Sequence, residues 1–399
     1  MMGLVRLLFW ILSTLVVVSI IIVDARAPLI KVSQLPLKTK GRWIVDRNDT
    51  RVKFSCVNWS GAAQKDGVVG GLQHQRVQDI ASTFADMGFN CVRMPFSVEM
   101  VHRNWTVNET LLSANPDLVE RSTLQIMDAV VSACSRAKLM IVLDNHMSDA
   151  DWCCSETDEN GLWYNDRWSE NDWIEAHRLV ARRYADAPYV VAIELRNELR
   201  ASVVGGRTVS PTWFVGNNLT DWRTAAVRAA DEILSVRSSL LIVVDSLSYS
   251  TDFTDVRSAP IVLGTSRRLV YSAHDYSWSQ KVSSESDLHK YLESRWGYLA
   301  QSDKAWTAPV WLSEFGTWHD GRDMSSGWWP WFLNYLKLND FDFGYWRGDG
   351  TESRGTGRTF GAPAGFGVLN TTWNGPAENG TLLKALKPLQ SPTQGPGYG

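Results

Sequence analysis

The stretch Ile193-Glu194-Leu195-Arg196-Asn197-Glu198-Leu199 decides the fold. It continues an apolar run and reads as a short buried strand, Val190 to Leu195, that runs into a polar cluster. Polar groups at a buried strand end cost free energy unless they find partners, so packing alone does not account for Arg-Asn-Glu there. A lone glutamate in such a place is more often a satisfied structural carboxylate. Here a second stretch has the same pattern: Pro309-Val310-Trp311-Leu312-Ser313-Glu314-Phe315-Gly316, again a short apolar strand with a glutamate at its C-terminal end. Two such carboxylates point to paired acid–base chemistry at the top of a parallel barrel.

Working outward, strand-like and helix-like segments alternate, the pattern of a parallel sheet with crossover helices. The expected strands are Val52–Asn58, Asn90–Pro95, Leu139–Asp144, Val190–Leu195, Leu240–Asp245, Leu269–Ala273, Pro309–Ser313 and Phe343–Trp346. Between them fall helices at His74–Met87, Thr123–Ala137, Trp173–Tyr184, Asp221–Val236, Asp287–Leu299 and Trp328–Leu338, with a short closing helix at Leu382–Leu386. Val77, Ile80, Ala81, Phe84 and Met87 are spaced to share one helical face, and Gly88 is placed to stop that helix. The segment after the fifth strand lacks a clear helix. Eight short apolar strands predict an α/β fold, a single-domain (β/α)8 barrel over residues 52–390 with long loops at the C-terminal face of its strands. Residues 28–51 read as an N-terminal extension with room for a hairpin around Trp43, and 391–399 as a flexible tail.

The polar residues collect where the strands end. They are Asn58-Trp59, Arg93 within the second strand, Asp144-Asn145-His146, Asn197-Glu198, His274-Asp275-Tyr276, Glu314 and Trp346. In a barrel these ends converge on one face. Two carboxylates about 5–5.5 Å apart can run a retaining glycosidase, one attacking the anomeric carbon and the other protonating the leaving oxygen. The acid must be kept protonated, so its pKa must be raised. The nucleophile must stay ionised, and Arg93 is the candidate cation. Asn197 could bond a sugar 2-hydroxyl. His146, His274 and the carboxylates could instead be metal ligands, but no compact pair such as His-Glu-x-x-His is present, so no metal and no cofactor are expected. Tryptophan is abundant, at 20 residues. Trp59, Trp105, Trp152, Trp163, Trp168, Trp213, Trp278, Trp318 and Trp346 fall in loops or at strand ends, where flat faces suit pyranose rings. For any one of them outside the strand ends, ordinary packing is the simpler reading.

The chain has 399 residues and a formal net charge of −3, without the basic stripe of a nucleic-acid partner. Arg6, the apolar run Leu7 to Val23 and Ala25-Arg26-Ala27 match a secretory signal peptide cleaved after Ala27, with a retained membrane anchor as the alternative. Secreted, extracellular or cell-wall localisation follows, with no stable membrane association unless the anchor is retained. Asn-x-Ser/Thr sequons at Asn48, Asn58, Asn104, Asn108, Asn218, Asn370 and Asn379 fit that route, Asn58 standing at a strand end where burial would block modification. Of five cysteines, Cys134 reads as a buried small hydrophobe. Cys56 and Cys91 lie on adjacent strands and could be bridged or merely packed. The neighbours Cys153 and Cys154 could bridge each other or pair elsewhere.

The combination of Asn90–Pro95 with Arg93, Asp144–His146, Arg196-Asn197-Glu198, His274-Asp275-Tyr276, Trp311–Gly316 and Trp346 resembles glycoside hydrolase family 5, the cellulase-like (β/α)8 enzymes, over roughly Val52 to Trp346. The resemblance implies Glu198 as acid/base and Glu314 as nucleophile, with Arg93, His146, Asn197, His274 and Tyr276 in support. Trp346 is then the platform at the subsite before the cleaved bond. The expected activity is a secreted retaining β-glycosidase acting on a β-linked glucan or related polysaccharide. The alternatives are a β-mannanase, a glycolipid glycosidase, or a non-catalytic glycan-binding protein on the same barrel. Members differ widely in substrate, so the fold does not name the sugar.

Overall fold

The structure, a computed structural model, describes residues 28–155, 157–319 and 327–397. The signal segment read at residues 1–27 lies outside them. Eight strands form the barrel: β1 Ser55–Asn58, β2 Cys91–Ser97, β3 Met140–Met147, β4 Val190–Glu194, β5 Leu241–Asp245, β6 Leu269–His274, β7 Val310–Phe315 and β8 Asp342–Tyr345. They pair in parallel in chain order, and β8 closes on β1 through Phe343↔Ser55, Gly344↔Cys56 and Tyr345↔Val57. This is the expected (β/α)8 barrel. Every residue of β1 to β5 is buried, as strands with one face in the barrel and one under helices must be.

The helices form where the apolar period predicts, with boundaries set by caps. Val77–Asp86 buries Val77, Ile80, Ala81 and Phe84, and Gly88 beyond it has φ +93°, a conformation only glycine adopts freely. The third major helix starts at Glu170, three residues before the first apolar position, because Ser169 caps it by accepting from the Asp172 N–H. After β5 there is no full crossover helix. The chain turns at Leu247–Ser250 with Ser248, Tyr249 and Ser250 all at positive φ.

Several strands run past the ends expected for them. β3 takes in Asn145 and His146, β6 includes His274, and β7 reaches Phe315 and so includes Glu314. Polar side chains interrupt the apolar pattern there while the backbone pairing continues. Bulges sit at these places. Phe96 pairs with Asn145 and Ser97 with Met147, leaving His146 as the extra residue, and Ala273 pairs with Leu312 but His274 with Glu314, leaving Ser313. A bulge breaks the in–out alternation and re-aims a side chain. Ser313 and Glu314 therefore both reach inner partners.

At the bottom of the barrel, residues 28–51 form the expected hairpin, Lys38–Lys40 with Trp43–Val45, and bury Ile30, Leu35, Leu37 and Ile44. Arg51 pairs with Asp342 and Lys53 with Asp340, all four buried. The segment read as a flexible tail is held down as far as residue 397. Asp340 accepts from the Thr393 and Gln394 amides, and Pro396 accepts from Arg51 N. Cys56 is joined to Cys91 across their strand pair, Cys153 is joined to Cys154, and Cys134 is free and buried.

Candidate active site

Arg93 is the centre of the barrel top. Its guanidinium is fully buried. Nε and Nη2 donate to the two oxygens of Glu194 (2.6 and 3.0 Å), and Nη2 also lies 3.1 Å from Asp144. Nη1 donates to Glu314 Oε1 (2.5 Å) and Asn58 Oδ1 (2.9 Å), and Nη2 to Asn197 Oδ1 (2.8 Å). Burial alone would lower its pKa, yet Asp144, Glu194 and Glu314 hold it well above the ordinary value. Glu194 is correspondingly pulled down to about 2: burial raises it, and Arg93 more than reverses this. Asp245 goes the other way, pushed well up by burial and by the Glu194 charge.

Glu314 is thus clamped from both sides, with Tyr276 Oη donating to its Oε2 at 3.1 Å. Glu198 sits in a left-handed turn (φ +46°) just past β4, its N–H given to Asp245 Oδ1 (3.3 Å). His274 Nδ1 is 2.9 Å from Glu198 Oε1 and its Nε2 is 2.8 Å from Ser313 Oγ. The donor atoms of Glu198, His274 and Glu314 lie within 4.8 Å of one another. That separation suits paired carboxylates working on one anomeric carbon. The same three residues have the spacing of a metal-ligand set, but their donor atoms are already engaged by Arg93, Tyr276 and each other.

One expectation needs correction. Glu198 does not have a raised pKa in the free site. Burial is the largest influence and raises it, but the hydrogen bond and charge of His274 outweigh this, and the net direction is down. His274 is raised in turn, with Glu314 and Glu198 overcoming its own burial. Each member of the pair thus favours the charged form of the other. His146 is held neutral, lowered to about 3 chiefly by burial, with Nδ1 2.7 Å from Asp144 Oδ2, which leaves Nε2 free. Trp346 stacks on His146 at 5.5 Å and 4°.

These residues line a cavity of about 780 Å³, within the usual range for small-ligand sites. Glu198, Glu314, His146, His274, Tyr276 and Trp346 all face it, while Arg93 and Asn197 lie behind. All eight site residues read from the sequence therefore come together. A family model described as cellulase (glycosyl hydrolase family 5) matches residues 45–351.

The chain belongs to glycosyl hydrolase family 5.

A family 5 protein of Chamaecyparis obtusa is 31% identical over 392 residues, covering 91% of this chain and 67% of its own length. An endoglucanase of Paenibacillus polymyxa is 29% identical, covering 89% of this chain and 88% of its own length. Among solved structures, the hyperthermophilic endocellulase of the archaeon Pyrococcus horikoshii matches with TM-score 0.76 and 25% identity, over 90% of this chain and 100% of that one. The same endocellulase has been solved as a variant with cellotetraose. As a family 5 member, the chain is a glycoside hydrolase acting on O-glycosyl bonds.

Further residues complete the site, and Ser248, Tyr249, Thr251, Glu352 and Arg358 among them were not singled out from the sequence. Asn58 reads as a sequon, but it is fully buried, accepts from Arg93 and donates to the Ser313 and Tyr345 carbonyls, so it is closed to glycosylation in the fold. Ser248, Tyr249 and Thr251 reach the cavity from the turn after β5, and Glu352 and Arg358 from the loop after β8. The only sequence signal for the former was the missing helix. Of the nine tryptophans noted, Trp152, Trp278, Trp318 and Trp346 line the cavity, whereas Trp59, Trp163 and Trp213 are buried packing residues. Cys153-Cys154 also lines it, with Cys154 Sγ 3.0 Å from Glu198 Oε2.

Proposed function

We propose that this enzyme is a retaining β-glycosidase that hydrolyses a β-linked glucan by double displacement. The observation that carries the reading is the pairing: Glu314 held by Arg93 and Tyr276, Glu198 by His274, with donor atoms no more than 4.8 Å apart beside an aromatic platform. In the first step Glu314 attacks the anomeric carbon of a sugar resting on Trp346. Glu198 gives a proton to the glycosidic oxygen, and the aglycone leaves. The Arg93 guanidinium donates to the nucleophile and orients it until the glycosyl ester forms. In the second step Glu198 takes a proton from water, which displaces Glu314 from the opposite face and restores the anomeric configuration. Arg93 occupies Asn197 Oδ1, and one hydrogen of the Asn197 amide N–H₂ points to Cys153 Sγ at 3.6 Å, which leaves the other for a sugar 2-hydroxyl.

The relatives named endoglucanase and endocellulase support a glucan over a mannan. Hydrolysis of a panel of β-glucans, mannans, xylans and aryl β-glycosides tests this. Turnover confined to mannan would move the substrate, and binding without turnover on all of them would reduce the barrel to a glycan-binding module. The same proposal includes secretion, supported by the Leu7–Val23 run with Ala25-Arg26-Ala27 and by exposed sequons at Asn48, Asn104, Asn108, Asn218 and Asn379. The mature chain is then expected to begin at Pro28. An intact Met1 end in a membrane fraction would mean an anchor.

A further inference from the structure

The two ends of the cleft are built differently. Glu198 gives its proton to the leaving oxygen, so the aglycone lies on its side, towards Ser248, Tyr249 and Trp278. Trp278 there is 66% exposed. The glycone lies over Trp346, and against Trp346 stands Trp152, its ring centroid 6.2 Å away and its plane tilted by 63°. A sugar lying on Trp346 meets Trp152 as a wall and not as a continuation of the floor.

That wall is braced. The Arg358 guanidinium covers Trp152 at 3.7 Å. Gly355 packs so closely that a Cβ would lie 2.7 Å from the Trp152 Cβ, so the contact admits only glycine. The adjacent Asp151 ties the loop after β3 to the loop after β8. Its Oδ1 accepts from the Thr356 amide (2.6 Å) and its Oδ2 from the Thr356 hydroxyl (2.7 Å). Lys65, from the loop after β1, joins both at 3.1 and 3.3 Å. Inside the strap lies Glu352, 9% exposed. One of its oxygens is 2.5 Å from Arg347, and Oε2 is buried with no hydrogen-bond partner among the described residues, although Glu352 lines the cavity. A buried unpaired carboxylate oxygen is costly, and a turn of the side chain towards the cavity would let a sugar hydroxyl satisfy it.

We propose that the Asp151–Thr356–Lys65 tie closes the glycone end of the cleft, with Trp152 as its wall and Glu352 as acceptor for a hydroxyl of the terminal sugar. The enzyme then cuts β-glucan at the non-reducing end and not at internal bonds, unlike the relatives named endoglucanases. This rests on the roles given to Glu198 and Glu314, which say which end holds the glycone.

The test compares gluco-oligosaccharides labelled at the reducing end, with and without a methyl cap on the terminal non-reducing hydroxyl, and follows viscosity of a soluble β-glucan against reducing ends formed. Wild type should release short products from the non-reducing end, cut capped chains at least tenfold more slowly, and lower viscosity little per bond broken. Glu352→Gln should lower kcat/KM on uncapped chains about tenfold and narrow the capped-to-uncapped ratio. The double variant Asp151→Ala, Thr356→Val should raise viscosity loss per bond at least fivefold, and Lys65→Met should raise it less. Steep viscosity loss by wild type, with capped and uncapped chains cut equally, overturns the proposal even if the double variant does not fold. No turnover on any β-glucoside would instead overturn the functional reading beneath it.

Discussion

The two glutamates can be separated by what replaces them. In Glu198→Ala the nucleophile keeps both donors, Arg93 at 2.5 Å and Tyr276 at 3.1 Å, and only His274 loses a partner. A positioned general acid is worth about 10²–10⁴-fold, or about 2.7–5.4 kcal/mol of barrier. On a natural glucan that loss should appear in full. On a dinitrophenyl β-glucoside the leaving group needs no proton, so the first step should slow by less than about tenfold. The second step still lacks its base, so a burst of phenolate should precede slow turnover. Azide, needing no base, should restore the rate and give the β-glycosyl azide with overall retention. In Glu314→Ala the guanidinium keeps Glu194 and Asp144, so the barrel should fold, but no ester can form and activity should fall by more than about 10⁴-fold. Azide can occupy the vacated space and attack directly, giving the α-azide. NMR assignment of the anomeric centre decides. An α-azide from Glu198→Ala and a β-azide from Glu314→Ala would exchange the two roles and refute the mapping of this site.

Tyr276→Phe removes a hydrogen bond to an ionised carboxylate, worth about 1.5–3 kcal/mol. A fall of about 10–150-fold in kcat/KM is expected, and a loss under threefold would show that Tyr276 does not act on Glu314. Reduction of Cys153-Cys154 by a phosphine should supply thiol donors 3.0 Å from Glu198 Oε2 and lower the pKa of that carboxyl. Activity needs Glu198 protonated and is lost as pH rises through its pKa, so the alkaline limb of the kcat/KM profile should move to lower pH. An unmoved limb, with both thiols alkylated to prove reduction, would disprove the coupling. Lys53→Met leaves Asp340 buried with only backbone donors, at a cost of about 3 kcal/mol. An unchanged denaturant midpoint would contradict it.

Much of the site was readable because the features that build it are local. Strand-end polarity marked Arg93, His146, Asn197, Glu198, His274, Tyr276, Glu314 and Trp346, and barrel topology brings such ends to one face. The helix at Val77–Asp86 was readable from its period and from Gly88. Glu194 stood in the opening stretch, but its role as the main partner of Arg93 was not visible, because a buried acid in a strand looks the same whether or not a cation faces it. Asn58 carried a sequon whose burial depends on neighbours in β7 and β8.

The sequence by itself determined the order of strands and helices, since a short apolar run and a 3.6-residue period are properties of neighbouring residues. It also determined which residue types reach the barrel mouth. Only the tertiary structure decided their chemistry. Arg93 meets Glu314 across 221 residues, and Asp151 meets Thr356 across 205. Both meetings depend on closure of β8 onto β1, on bulges that re-aim His146 and Ser313–Glu314, and on loops whose paths no local pattern specifies. The opposite shifts of His274 and Glu198 are a consequence of those distances, because pKa values follow burial and neighbouring charge and not residue type alone.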